Sequence, residues 1–228
     1  MYLSELTLDP WRRDVASLLA DSYALHRRLL CAFPEAANGG CGRVLFRTEL
    51  AGPPRLLVQS EKRPDWHTLG ALLTGCRGPK EWQPQFTVGQ TLRFRLRANM
   101  TVKQDGKRRV LHGASAEETR ARQAAWLARK GGLHGFALVP VPQGVDWYDP
   151  FAEEPNAAPS EVRLVPLPVC QGFKPLAEGG SVRPIAHTAV DCDGLLRVTD
   201  PTAFAEAVRA GLGPGKAFGM GLLSLARQ

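Results

Sequence analysis

Tyr23 and His26, followed directly by Arg27 and Arg28, are the residues of this chain best suited to chemistry. Three apart, a phenol and an imidazole share one face of a helix. An imidazole that titrates near neutrality is the natural group to move a proton at a phosphodiester. Two placements are open for His26. In one unbroken helix over 14–33 it would fall on the apolar stripe of Val15, Leu19, Leu29 and Phe33, as a buried structural histidine. Asp21-Ser22 can instead cap a fresh helix start, and a break there releases Tyr23 and His26 from that stripe.

Two other stretches offer cations in a pattern. In Leu92-Arg-Phe-Arg-Leu-Arg97 strict alternation gives a strand one apolar face and one row of guanidiniums, Arg93, Arg95 and Arg97. Their mutual repulsion has to be relieved by carboxylates or phosphates. Few carboxylates lie nearby in sequence, so phosphate is the expected partner. Near the C-terminus, Gly211-Leu-Gly-Pro-Gly-Lys-Ala-Phe-Gly-Met-Gly221 is too glycine-rich for a helix or regular strand. It is either a tight connection or a backbone cradle for an anion, and Lys216 points to phosphate. The spacing fails a P-loop, with Ala217 after the lysine, and a dinucleotide fingerprint would follow a strand and open a helix.

Other chemistries find little support. His67, His112, His134 and His187 stand alone, no two at metal-ligand spacing, and Glu153-Glu154 lies in a Pro/Glu/Ala-rich segment over 149–160. No G-x-S-x-G elbow is present. The five cysteines, Cys31, Cys41, Cys76, Cys170 and Cys192, are scattered without a C-x-x-C pair, as in reduced cytoplasmic thiols. No apolar run approaches the roughly 20 residues of a membrane span, and the first residues do not form a secretory signal. Of the net charge of +7, residues 1–113 carry 18 Lys+Arg against 10 Asp+Glu, a net of +8. Residues 114–228 carry 11 against 12, a net of −1. A basic half fits either a polyanionic partner or a merely alkaline protein.

The elements that must position these groups read as two similar rounds. Tyr2–Leu8 alternates as a strand. Helical pattern over 14–33, strands at 43–50 and 55–61, a short helix at 65–73 and the 92–97 strand complete a β-α-β-β-α-β order, the ferredoxin-like unit of RNA-recognition domains. Residues 99–113, with Lys103, Lys107, Arg108 and Arg109, read as an exposed basic loop. A helix over 116–130 carries Arg120, Arg122, Arg129 and Lys130, partly offset by Glu117 and Glu118, and reads as a solvated face. Strands at 136–141 and 162–167 follow, the latter extended over 169–174 into a hairpin, with strand pieces at 185–190 and 195–198, then a helix from Asp200-Pro201 to Ala210 and a closing strand at 222–225. The expected fold is α+β, two tandem ferredoxin-like domains with antiparallel sheets: residues 1–98, a basic linker 99–115, and residues 116–228.

Met1-Tyr-Leu-Ser-Glu-Leu-Thr-Leu8, Tyr23-Ala-Leu-His26-Arg-Arg-Leu-Leu30, Leu92-Arg-Phe-Arg-Leu-Arg-Ala-Asn99 and Gly213-Pro-Gly-Lys-Ala-Phe-Gly-Met-Gly-Leu-Leu-Ser224 together resemble the CasE family. Its members are the CRISPR-repeat endoribonucleases of the type I-E Cascade complex. The match runs in order along the chain, is most specific in the glycine motif and is weakest over 143–172. The resemblance implies a metal-independent, cofactor-free cytoplasmic enzyme that cuts precursor CRISPR RNA at the 3′ base of the repeat stem-loop. The product stays bound beside other Cascade subunits, the backbone subunit in particular. His26 matches the catalytic histidine, Tyr23 its accompanying tyrosine and Lys174, loosely, a basic residue near the scissile phosphate. Stem binding would fall to Arg27, Arg28, Arg93, Arg95, Arg97, Arg108, Arg109, Arg129 and Lys130, with Gly213, Gly215, Lys216 and Gly219 in the loop. A catalytically silent RNA-binding module and a structural subunit with an acidic protein partner are the competing readings.

Overall fold

The computed structural model describes residues 1–33, 40–140, 162–175 and 182–227. Along β1 (Tyr2–Leu8) burial alternates as the period-two pattern requires, with Leu6 and Leu8 turned into the core. The helical stretch is broken. Asp21 adopts an extended conformation between α1 (Arg13–Ala20) and α2 (Ser22–Leu30), and its carboxylate accepts the backbone N–H groups of Tyr23 and Ala24 at 3.0 and 2.9 Å. Those amides open a helix and have no partner within it, which is why Asp works as the cap.

β2 (Val44–Glu49) and β3 (Arg55–Ser60) pair antiparallel. A 3₁₀ turn (Trp66–Leu72) then leads into β4 (Leu73–Glu81). The sheet order β2-β3-β1-β4 is that of a ferredoxin-like unit. Its core joins Leu6, Val15, Leu25, Leu29, Phe46 and Trp66, and the Trp66 indole N–H donates to the Ser4 hydroxyl at 2.9 Å.

The strand expected to close this unit, Leu92–Arg97, lies elsewhere. It belongs to β5 (Thr91–Ala98), a central strand of the second sheet, flanked on either side by the strands Val182–Val198 and Leu223–Arg227. The true fourth strand, β4, has no apolar alternation and contains Gly75, Gly78 and Pro79. It survives these because it is the sheet's edge, where a missing N–H and a weak side-chain face are tolerated.

From β5 the β-α-β-β-α-β order repeats through α3 (Ala116–Leu133), β8 (Phe136–Val139), β10 (Val182–Val198), α4 (Pro201–Ala210) and β11 (Leu223–Arg227), in sheet order β11-β5-β10-β8. The added strand β9 (Val162–Pro175) pairs with β10. Leu96, Leu127, Phe136, Phe204 and Leu212 are central to its core. Asp200 caps α4 through Thr202 and Ala203, with Pro201 in the first turn, as expected. The expected basic loop is instead a hairpin, β6 (Thr101–Gln104) and β7 (Lys107–Val110). Its two-residue turn puts Asp105 and Gly106 at φ 51° and 75°, the Asp-Gly signature of a tight hairpin. The segment 149–160 lies outside the described residues.

Side chains cross between the two sheets at β2 and β5. The Arg47 side chain is 3% exposed, pairs with Glu49 at 2.6 Å and donates to the Arg95 carbonyl at 3.3 Å. Arg97 in turn donates to the Thr48 carbonyl at 3.0 Å.

Candidate active site

Helix α2 carries Tyr23 and His26 on its partly buried side. The His26 ring stacks on Phe46 of β2, centroids 6.0 Å apart and planes 9° from parallel. Its Nδ1 is buried and finds no hydrogen-bond partner among the described residues. Burial holds the imidazole pKa below its ordinary value, because the cation would lose solvation. His26 is therefore a neutral imidazole at pH 7, able to accept a proton.

Tyr23 packs on Phe218 of the glycine loop, centroids 6.1 Å apart. That loop is first a packing device. Gly213, Gly215 and Gly219 hold φ of 76°, 87° and 76°, open to glycine and costly for other residues. A Cβ on Gly215 would lie 2.9 Å from the Met220 sulfur, and one on Gly219 3.2 Å from the Phe46 ring. The amides of Leu212, Phe218, Gly219 and Gly221 donate to the carbonyls of Gly221, Gly215, Lys216 and Arg97. Those four are occupied internally rather than offered to an anion. The loop's result is Phe218, buried between α2 and the second sheet.

From the other side β9 leans on the start of α2. The Phe173 N–H donates to the Asp21 carboxylate at 3.3 Å, and Gly172 abuts Tyr23 so closely that a Cβ would lie 2.7 Å from the tyrosine Cβ. Lys174, exposed, follows two residues after Gly172.

The remaining cations divide. Arg95 pairs with Asp193 and, at 3.8 Å, with Glu49. Arg97 holds Asp191 through Nε at 2.8 Å and Nη2 at 2.9 Å. The expectation that phosphate neutralises these two is thus corrected: the carboxylates come from β2 and from β10, which register places directly opposite β5. Arg93 of the same row is exposed and has interactions of its own. On α2, Arg27 is exposed, while Arg28 donates to the Thr68 carbonyl at 3.3 Å.

A groove of about 820 Å³ gathers Lys103, Arg108, Arg129, Lys130, His134 and Lys216 from the β6–β7 hairpin, the end of α3 and the glycine loop. Among the described residues that line it there is no carboxylate. Burial lowers the pKa of Lys130, Lys216 and His134, and neighbouring cations lower them further: Arg129 and Arg108 act on Lys130, Arg43, Lys130 and Arg108 on Lys216, Lys130 and Lys216 on His134. Positive groups crowded in this way are a site for a polyanion. Lys130 also sits 5.7 Å from the Trp126 ring centroid, and Lys216 donates to the Gly213 carbonyl at 2.8 Å. Arg109 alternates with Arg108 along β7 and points to the hairpin's other face. Sequence reading missed His134, a lone histidine whose companions arrive only when the hairpin folds over α3. Among the described residues no three His, Cys, Asp or Glu side chains group as metal ligands, and no helix is long and apolar enough to cross a membrane.

The chain thus has two ferredoxin-like units in tandem, the first carrying a Tyr/His helix braced by Phe218 and β9, the second a cationic groove. The chain belongs to the CRISPR-associated protein family, whose model matches residues 1–227. It is 36% identical to the CRISPR-associated endoribonuclease Cse3 of Thermus thermophilus, over 99% of this chain and all of that protein. It is 28% identical to the CRISPR system Cascade subunit CasE of Escherichia coli, over 99% of each. The solved structure of CRISPR endoribonuclease Cse3 bound to a 19-nucleotide RNA matches 99% of this chain and 100% of its own, with a TM-score of 0.77 at 33% identity.

Proposed function

We propose that this protein binds the stem-loop of CRISPR repeats in precursor RNA, cuts at the 3′ base of the stem and stays on its product as a Cascade subunit, beside the backbone subunit in the cytoplasm. One observation carries the reading: the Tyr23/His26 helix is clamped by β9 and by Phe218, two residues after Lys216 of a groove whose described lining holds cations and no carboxylate. An A-form stem hides its major-groove base edges and offers phosphates and shape, which such a groove can grip. Relatives named as an endoribonuclease and as a Cascade subunit support both halves of the proposal. We take the two units to meet in the connection 82–90, between the last strand of one sheet and the first of the other.

In the proposed reaction the ribose 2′-hydroxyl attacks the adjacent phosphorus while the bond to the 5′-oxygen breaks, leaving a 2′,3′-cyclic phosphate and a 5′-hydroxyl. His26 takes the 2′-hydroxyl proton, and the departing 5′-oxygen picks up a proton from water. Tyr23, fixed by Phe218 and Gly172, orients the reacting groups, and Lys174 offsets charge on the phosphorane. No metal ion takes part. The rival is a silent binding module with His26 as a core residue, which its stacking on Phe46 favours.

The test uses wild type and His26→Ala with a labelled repeat stem-loop in chelator, scoring binding and cleavage separately. A variant that binds but does not cut supports the proposal. Binding without cleavage by both proteins supports the silent module. Wild-type cleavage of an RNA carrying a 2′-deoxy nucleotide at the cut would sink the mechanism.

A further inference from the structure

Between the Tyr23/His26 helix and the cationic groove lies a pair of side chains that the proposed chemistry leaves unused. His187, half-buried on β10, stands edge-on to Phe218, ring centroids 4.6 Å apart and planes at 87°. Phe218 is the ring that also meets Tyr23. The His187 Nδ1 lies 3.1 Å from Nδ2 of Asn99, which follows β5 and is 4% exposed. The Asn99 Oδ1 is buried without a partner among the described residues. His187 also lies within the electrostatic reach of Arg108, which lines the groove. One histidine therefore links the aromatic brace of the reaction site to the stem-binding cations.

We infer that His187 is a positioning residue for the RNA: held at Nδ1 by Asn99, it donates from Nε2 to a backbone phosphate of the lower stem, next to the scissile bond. The inference rests on the endoribonuclease reading. Asn99 is suited to the task because its amide presents either a donor or an acceptor. In one orientation Nδ2 donates to a neutral ring, leaving the hydrogen on Nε2. After a half-turn Oδ1 accepts from Nδ1–H, and the ring holds a proton on both nitrogens. The half-turn exchanges one unpartnered amide atom for the other, so its cost is small. In both states Nδ1 is engaged and Nε2–H is the free donor, which a phosphate oxygen matches. An asparagine that merely filled space would not need a buried polar atom facing a histidine, since an orphaned amide oxygen costs stability.

The test is single-turnover cleavage by wild type, His187→Ala, His187→Asn and His187→Gln, with affinity for the stem-loop measured alongside. The Gln amide nitrogen reaches the place of Nε2, whereas Asn reaches only that of Nδ1. Loss of one charged hydrogen bond predicts cleavage about ten- to a hundredfold slower in the Ala and Asn variants, with Gln restoring most of it and stem affinity changing little. A second arm replaces single phosphates of the lower stem next to the cut by neutral methylphosphonates. At one position the substitution should slow wild type but add nothing in His187→Ala, the mark of a shared interaction. Wild-type rates in His187→Ala, or methylphosphonate effects that add independently at every position, overturn the inference. Slow cleavage in all three variants with no rescue by Gln assigns His187 to packing and also overturns it. If wild type itself does not cut, the endoribonuclease reading fails and this inference falls with it.

Discussion

Replacing Arg97 by alanine separates a phosphate-binding role for the β5 arginine row from a structural one. Arg97 is 15% exposed and Asp191 19%, and their two-point pair at 2.8 and 2.9 Å is reinforced by the bond to Thr48 across the sheets. Breaking a buried pair costs about 3–5 kcal/mol, because the surviving charge is stranded, while an exposed pair is worth about 0–1 kcal/mol. Exposures this low place Arg97→Ala nearer the first limit, at about 2–4 kcal/mol. Denaturant unfolding would read this as a lower midpoint. Adding Asp191→Ala removes the stranded carboxylate and should recover part of the loss. Stem affinity, measured where the variant is folded, should keep the wild-type salt dependence. An unchanged midpoint, together with a salt slope shallower by about one phosphate contact, would refute this account and restore Arg97 to the RNA.

Lys216→Gln keeps a donor for the Gly213 carbonyl but removes a groove charge, so the salt slope of stem binding should fall by about one while stability holds; an unaltered slope would place the RNA elsewhere. Gly172→Ala puts a methyl 2.7 Å from the Tyr23 Cβ and from the Phe218 ring, and overpacking of this kind costs about 1–3 kcal/mol. It should slow cleavage with stem affinity retained, and normal cleavage would show that β9 does not brace α2. His26, His134 and His187 all have lowered pKa values, burial being the leading cause. Their unfolded forms take up protons near pH 6.5 while the folded forms wait for lower pH. Stability should thus be full above about pH 6.5 and decline as pH falls through that range, less steeply in His26→Gln. A urea midpoint insensitive to pH between 7.5 and 5.5 would contradict the burial. The cleavage rate should likewise rise with pH on a limb lying below about pH 6.5, and a limb above it would argue against His26 as proton acceptor.

What could be read from sequence was what is local. Asp21 announces a helix start two residues before Tyr23 because capping needs only its own side chain and the next few amides. The alternation of Leu92, Phe94 and Leu96 announces a strand, but alternation names no partner, and β5 was read into the wrong sheet. The arginines opposite that face were misread for the same reason. Their carboxylates, Asp191 and Asp193, lie 94 and 98 residues away and become neighbours only through the β5–β10 register. β4 was invisible as a strand since Gly75, Gly78 and Pro79 carry no pattern of burial. The Asp105-Gly106 turn is a local signal too, set among basic residues that by charge alone suggest a loop. The groove had no local signal, being made of three elements far apart in the chain.

The glycine loop shows why the site needs both units at once. Tyr23 and His26 ride on a helix of the first unit, yet the groove and Lys174 belong to strands, hairpin and helix of the second. Something must fix their relative position to the accuracy that proton transfer requires. Phe218 meets Tyr23 on one side and His187 on the other, and the left-handed turns at Gly215 and Gly219 are what deliver it there. Gly219 meanwhile lets the loop close over Phe46, the ring on which His26 stacks. The loop thus touches the supports of both side chains proposed to react and supplies neither of them. The same turn that places Phe218 places Lys216 in the groove, so the proposed stem grip and the proposed reaction site are joined by a few residues of backbone. A change that loosens this loop should therefore lower cleavage before it lowers binding, because several cations share the stem while a single geometry serves the cut.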